Sequence, residues 1–522
     1  MTSPRAVPAF ALALLACGDR GHSDLDPSAD RPVLGLFQRA EDPYARPPGG
    51  GSSPVIVMNR GATPPVTERP GEGTTTEAPT ATATANGFEI QFPGASPVTT
   101  PAVHDGRLIV SGGFNSRAIY AYHATTGRPA WGAALSDDGP SNPVCEGQTC
   151  VFNSESCTTF AVDARTGQVR WAWWLGDPQT SAPTLANGLV FASYPFTPSY
   201  NGDVTYAEDG SFVMPPSEAP AGATHVLAAF ELATGRPVWR RWLDGDVMSS
   251  PVAVDDFVYV TTFAGTVMKL DQRTGDIRFA VAMRATSAPV IVRDDNRESV
   301  YVTRRVEERA DETREALVRA DVGQTRLAFR AHPKAAPYLD GDVQRETDYA
   351  KLATTDDGEN GFSSVPATAG AGIASSMVGV ANVSTMQRFQ GSRALVAGGL
   401  VYSTMGDEVI AVDATTGETK WRHALAGDTR TAGGHLGTAP LIAGGEIVIA
   451  TLAGEVVRLG AQTGKLVATY RTNAPVRSQP AVQGGWIYLG TEDGRLIAID
   501  TKDRKLTGWP TWGGNTGRTA VR

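Results

Sequence analysis

The chain has 522 residues, a formal net charge of −9 and a pI near 5.4. This acidic balance argues against nucleic acid as a partner, because phosphate binding wants a basic face. No apolar run reaches the roughly 18 residues that a membrane-spanning helix needs.

In chain order, the first 17 residues read as a secretory signal. Arg5 is followed by an almost wholly apolar run from Val7 to Ala16, then Cys17. A basic start, a short apolar core and a small residue before cysteine is the layout of an export signal. The ending Leu14-Leu15-Ala16-Cys17 resembles the bacterial lipobox, which implies cleavage before Cys17 and lipidation of its thiol. Residues 18–86 are rich in Pro, Gly, Thr and Ala, most plainly over Gly71–Asn86. Such a stretch cannot bury enough apolar surface to offset the cost of ordering it, so a disordered tether is expected.

From residue 87 the chain repeats itself. The segment Ala161–Trp171 (AVDARTGQVRW) returns as Ala121–Trp131, Ala229–Trp239 and Ala411–Trp421, with weaker copies ending at Phe279, Phe329, Tyr470 and Trp509. Self-similarity at a fixed period of about 40 residues means a repeat architecture whose units bury their apolar faces only against neighbours. Before each Thr-Gly turn the apolar residues alternate, as in Phe257–Thr262 and Val267–Asp271, which predicts short antiparallel strands. Three such strands, and a fourth carrying the aromatic residue, make one propeller blade. The turns at Gly127, Gly167, Gly235, Gly275, Thr325, Gly417, Gly464 and Lys502–Arg504 predict an all-β, eight-bladed propeller of four-stranded antiparallel blades over 87–522. A count of seven or nine needs one weak copy to be misread. Insertions are expected at about 195–222 and 331–392, since the repeat keeps phase on either side. Ring closure is expected to bring Trp509 and Trp512 beside Phe88–Phe92.

Three cysteines fall in the second repeat. Cys145 and Cys150 flank a tight turn on adjacent strands, where opposed Cβ atoms approach the separation a disulfide needs. That pairing leaves Cys157 free. Pairing of Cys150 with Cys157, or a three-cysteine zinc site without CxxC spacing, are the alternatives. Trp131, Trp171, Trp239 and Trp421 hold one repeat position and are expected to be structural wedges between blades.

The pattern Ala-x-Asp-x-x-Thr-Gly with Trp four residues on, complete at Ala161–Trp171 and Ala411–Trp421, resembles the tryptophan-docking repeat of pyrroloquinoline-quinone (PQQ)-type propellers. Two classes share it. Quinone-dependent dehydrogenases of the alcohol type use an adjacent cysteine pair, Ca²⁺ held by Glu, Asn and Asp, and often a haem partner. This chain has no Cys-Cys pair and no CxxCH, and the acidic stretches 294–296 and 355–360 lack an EF-hand pattern. The other class is the BamB-like outer-membrane lipoproteins. That resemblance implies a non-catalytic, lipid-anchored, periplasm-facing scaffold that binds proteins, including β-barrel assembly components, as a monomer. No catalytic residue, cofactor or metal site is assigned; a PQQ-dependent dehydrogenase or small-ligand propeller is the alternative.

Overall fold

The computed structural model describes residues 75–521 except 155–157, 176–180, 196–224, 263–264, 283–284, 286, 295–296, 309–312, 323–326, 332–393, 405–406 and 428–435. Among the described residues every regular element is a strand, and no helix is long and apolar enough to cross a membrane.

The repeat containing Trp171 shows why the sequence folds as it does. Its strands are Val144–Glu146, Thr149–Asn153, Thr158–Asp163 and Val169–Trp174, paired antiparallel in that order. Alternating apolar side chains bury both faces, because each sheet is covered by a neighbour on either side. The turn before the fourth strand is built by Asp163. Its carboxylate accepts from the amides of Arg165 (2.8 Å) and Thr166 (3.1 Å), and Gly167 follows at φ +76°. Burial would push the Asp163 carboxyl up, but the Arg170 guanidinium and those amides hold it below its usual range. Just past the turn the register slips between Val169 and Trp171. The same slip recurs at Ala121/Tyr122, Ala229/Phe230, Lys269/Leu270, Ala411/Val412 and Arg458/Leu459. A bulge increases twist locally and re-aims a side chain, here the aromatic one at the rim.

Seven sheets have this four-stranded form, and we label them A to G in chain order. Their innermost strands are Ala102–His104, Val144–Glu146, Thr184–Ala186, Val252–Val254, Val290–Asp294, Ala394–Ala397 and Leu441–Ala443. The remaining strands form a five-stranded sheet, H, in the order Ala481–Gln483, Trp486–Gly490, Arg495–Asp500, Gly87–Gln91, Thr82–Thr84.

The expectation of eight four-stranded blades is therefore corrected: seven blades have four strands, and the closing sheet is a five-stranded composite of both ends of the repeat region. The physical reason lies in the degenerate eighth turn. Lys502–Arg504 carries no glycine, and the chain beyond it does not return as an outer strand. The outer places are filled by Gly87–Gln91, paired with Arg495–Asp500, and by Thr82–Thr84. The fold thus begins before residue 87: Thr82–Thr84 is in the sheet and Thr75 bridges to Ala133. The expected tether over residues 18–74, the signal segment and Cys17 lie outside the described residues.

Both expected insertions also lie largely outside them. The first leaves the sheet after Pro195, which pairs with His225, and the second falls between Ala331 and Ala394.

Candidate functional site

Around the rim, the repeat tryptophans cross from one sheet to the next. Trp131 donates its indole N–H to Ala164 O (3.1 Å), Trp171 to Leu232 O (2.9 Å), Trp239 to Gln272 O (2.7 Å) and Trp421 to Ala461 O (2.8 Å). Each acceptor stands three residues before the Thr-Gly glycine of the following sheet. A Cβ on Gly235 would sit 2.7 Å from the Trp171 ring, so the glycine is required both by φ +71° and by the close approach. All four tryptophans are buried. Phe88 takes the equivalent place against Gly127, although it comes from the start of the repeat region and carries no repeat signature.

Cys145 and Cys150 face each other across the hairpin of Val144–Glu146 and Thr149–Asn153, and a disulfide joins them. It lies under sheet A, packed with Trp131 and Phe152. Cys157 lies outside the described residues.

The axis is where a propeller ordinarily meets a ligand, and here the chain's own residues 509–521 fill it. Trp509 and Val482 exchange both backbone bonds (2.8 and 2.6 Å). Trp509 is thus on the inner edge of sheet H, and not beside Phe88–Phe92 as expected; that segment lies on the opposite side of the same sheet. From Trp509 the segment visits the innermost strands in ring order. Val103 N donates to Pro510 O (2.6 Å), Leu185 N to Thr516 O (3.0 Å), Ala253 N to Gly517 O (2.8 Å) and Val396 N to Ala520 O (3.4 Å). Gly513 and Gly514, at φ +72° and +84°, make the bend, and a side chain at 517 would meet Ala253 O at 2.4 Å.

A second signal surrounds this segment, one that the repeat reading passed over. Seven innermost strands are preceded by Ser/Thr-x-Pro: Thr99, Ser141, Ser181, Ser249, Ser287, Thr438 and Ser478 begin the copies. All seven are buried. Hydrogen bonds from this belt join neighbouring sheets: Thr100 Oγ1 to Gln479 O (2.6 Å), Asn153 Nδ2 to Ser181 O (2.6 Å), Thr184 Oγ1 to Pro251 O (2.6 Å) and Thr404 Oγ1 to Thr438 O (2.7 Å). Gln479 ties the belt to the axial segment, accepting from Trp509 Nε1 (3.1 Å) and Gly513 N (3.0 Å). Proline puts a ring where a donor would otherwise point and leaves its carbonyl to accept.

Among the described residues no group of three or more His, Cys, Asp or Glu is arranged to hold a metal ion; the stretch 355–360 and residues 295–296 lie outside them. The strongly perturbed carboxyl is Asp246, between sheets C and D. Burial pushes its pKa up to about 7, although Val247 N (2.7 Å) and Ser193 Oγ (3.1 Å) donate to it. Its second oxygen has no hydrogen-bond partner. The carboxyl's hydrogen-bond partners are the amide of Val247 and the hydroxyl of Ser193, and it is buried.

Rim and axis together define a tryptophan-docked propeller whose central channel is occupied by its own chain. The sequence matches the family described as "Outer membrane protein assembly factor BamB" over residues 79–211, 197–306, 363–459 and 406–512, and the chain belongs to that family. Propellers of this family are non-catalytic scaffolds, and this chain is not an enzyme. Among solved structures, BamB from Moraxella catarrhalis is similar at 15% identity and a TM-score of 0.47, covering 79% of this chain and 96% of that one. The quinohemoprotein alcohol dehydrogenase from Comamonas testosteroni is similar at 13% identity and a TM-score of 0.51, covering 81% and 77%. Saccharomyces cerevisiae Sqt1 shares 8% identity at a TM-score of 0.48, covering 81% and 99%. At such identities the likeness is one of fold alone. No curated protein gives a significant match.

Proposed function

We propose that this chain is a lipid-anchored, periplasm-facing scaffold of the outer membrane that binds components of β-barrel assembly. The observation that carries the reading is the filled axis. Edge amides of the innermost strands, which a ligand on the axis would meet, are held by the carbonyls of Trp509, Pro510, Thr516, Gly517 and Ala520. Binding capacity then resides in loops, faces and outer edges. One such edge is the strand Leu466–Arg471 of sheet G, where Leu466 and Val467 are 57% and 51% exposed. An open edge bearing apolar side chains can accept an extended partner segment by strand addition. The family match supports the same reading.

The lipid rests on Cys17, which the lipobox-like ending supports. Metabolic labelling with a fatty acid should mark the wild-type protein and not Cys17→Ser. In-cell crosslinking from position 466, followed by capture, should recover β-barrel assembly components. Dye reduction with alcohols or aldoses after adding PQQ and Ca²⁺ to the purified protein would defeat the scaffold reading.

A further inference from the structure

Arg518 is 3% exposed and lies on the axis, with no carboxylate paired to it among the described residues. Its Nε donates to Pro183 O (2.8 Å), Nη2 to Asn142 O (3.4 Å) and Nη1 to Trp512 O (3.5 Å), and the guanidinium sits over the Trp512 ring at 4.4 Å. Every one of these partners is neutral. A guanidinium has five N–H donors; each nitrogen here has one neutral acceptor, and two of the three bonds are long.

Other deeply buried arginines are treated differently. Arg458, at 4% exposed, is paired with Glu446 (2.7 Å) and Asp503 (2.8 Å), and Arg241, at 1%, has Asp276 at 3.6 Å. A buried charge without a counter-charge costs several kcal/mol even after relaxation. Burial lowers the Arg518 pKa to about 9, which still leaves the group a cation at neutral pH.

A second, independent observation concerns the two segments that hold Arg518. They are the Ser/Thr-x-Pro copies Ser141-Asn142-Pro143 and Ser181-Ala182-Pro183. On them, Asn142 Nδ2 and Ser181 Oγ are buried and have no hydrogen-bond partner. Both groups can donate. The segments whose carbonyls hold this cation thus also carry two orphaned donors. A further acceptor bearing negative charge resolves all three deficits at once.

We infer that the axis carries a binding site for one small monovalent anion, halide or carboxylate, held by the guanidinium of Arg518 with the amide of Asn142 and the hydroxyl of Ser181. Such an ion would neutralise the charge and lock the axial segment against sheets B and C. The site would thus be a structural one, closed to bulk solvent and reached as the segment seats.

The test uses the full-length protein crystallised in two arms, sodium bromide and sodium acetate. An anomalous bromide peak, or planar carboxylate density, within hydrogen-bond distance of the Arg518 guanidinium supports the site, and the arm that fills identifies the ion class. Water or no density there in both arms overturns it. In solution, exchanging gluconate for chloride or acetate at constant ionic strength should raise the wild-type melting temperature by about 2 °C. Arg518→Met should abolish that rise, and the milder Asn142→Ala and Ser181→Ala should reduce it. An anion response that all three variants keep unchanged would also overturn the assignment.

Discussion

Rim and axis solve the same problem, joining one sheet to the next, by opposite means. At the four tryptophan junctions of the rim the joint is local and repeated: one bulged strand, one indole ring, one Thr-Gly turn, one indole N–H to a carbonyl. At the axis the junction is global and unrepeated, with a single segment touching sheet after sheet through its backbone. Rim contacts are therefore redundant and individually replaceable, whereas the axial contacts stand or fall together. Perturbations should separate the two.

The largest effect is expected from truncation after Thr507. It removes the buried Trp509, Trp512 and Arg518 and exposes the inner-edge amides of five sheets. The loss should exceed about 5 kcal/mol, since one buried tryptophan alone is worth about 3–5 kcal/mol. Denaturant unfolding of the truncated chain measures it, and a loss no greater than that of one rim tryptophan would break the contrast.

Next comes Trp171→Ala, expected to cost about 3–5 kcal/mol and to lower the melting temperature without altering partner or ligand affinity. Trp171→Phe keeps most of the ring but loses the bond to Leu232 O, and should cost about 1–2 kcal/mol. If Trp171→Ala spared stability and abolished small-molecule binding, the rim would be a ligand site and not a joint.

Asp246 sharpens the comparison through pH. Its folded-state pKa of about 7 lies above the ordinary 3.8, so the folded state binds the proton more tightly. Stability from this group is full below pH 4 and is lost as pH rises toward 7. Asp246→Asn should match wild type near pH 4 and gain up to about 4 kcal/mol above pH 7. Urea titrations at pH 4, 5.5 and 7.5 give the trend, and a gain independent of pH would assign it to another cause.

The smallest effect on stability belongs to Leu466→Ser on the outer edge of sheet G, within about 0.5 kcal/mol. It should nevertheless weaken capture of protein partners in a pull-down. Unimpaired capture would move the interaction to another edge or face.

This contrast also explains what the sequence let one read. Ala161–Trp171 and its copies are local, so Asp163, Gly167 and Trp171 announce their turn and strand in eleven consecutive residues. Phe88 against Gly127 and Gly517 against Ala253 depend on residues brought together only by closure, and no period marks them. The eighth turn misled for the same reason. Trp509 sits at the repeat's aromatic position in sequence, yet without the Thr-Gly bend it goes to the axis. The Ser/Thr-x-Pro belt was legible, since it recurs immediately before seven innermost strands, but its role depends on what the axial segment brings to it.

Sheet H has a consequence for how the molecule assembles. Gln91 Nε2 donates to the carbonyl of Asp493, 402 positions along the chain. Fastening such distant partners costs about 5 kcal/mol of loop entropy, so this zipper is expected to close late and slowly. Until it does, Arg495–Asp500 presents a bare ladder that the Gly87–Gln91 strand of another copy fits equally well. Refolding at high concentration should therefore yield strand-exchanged dimers, and dilution should favour the closed single chain.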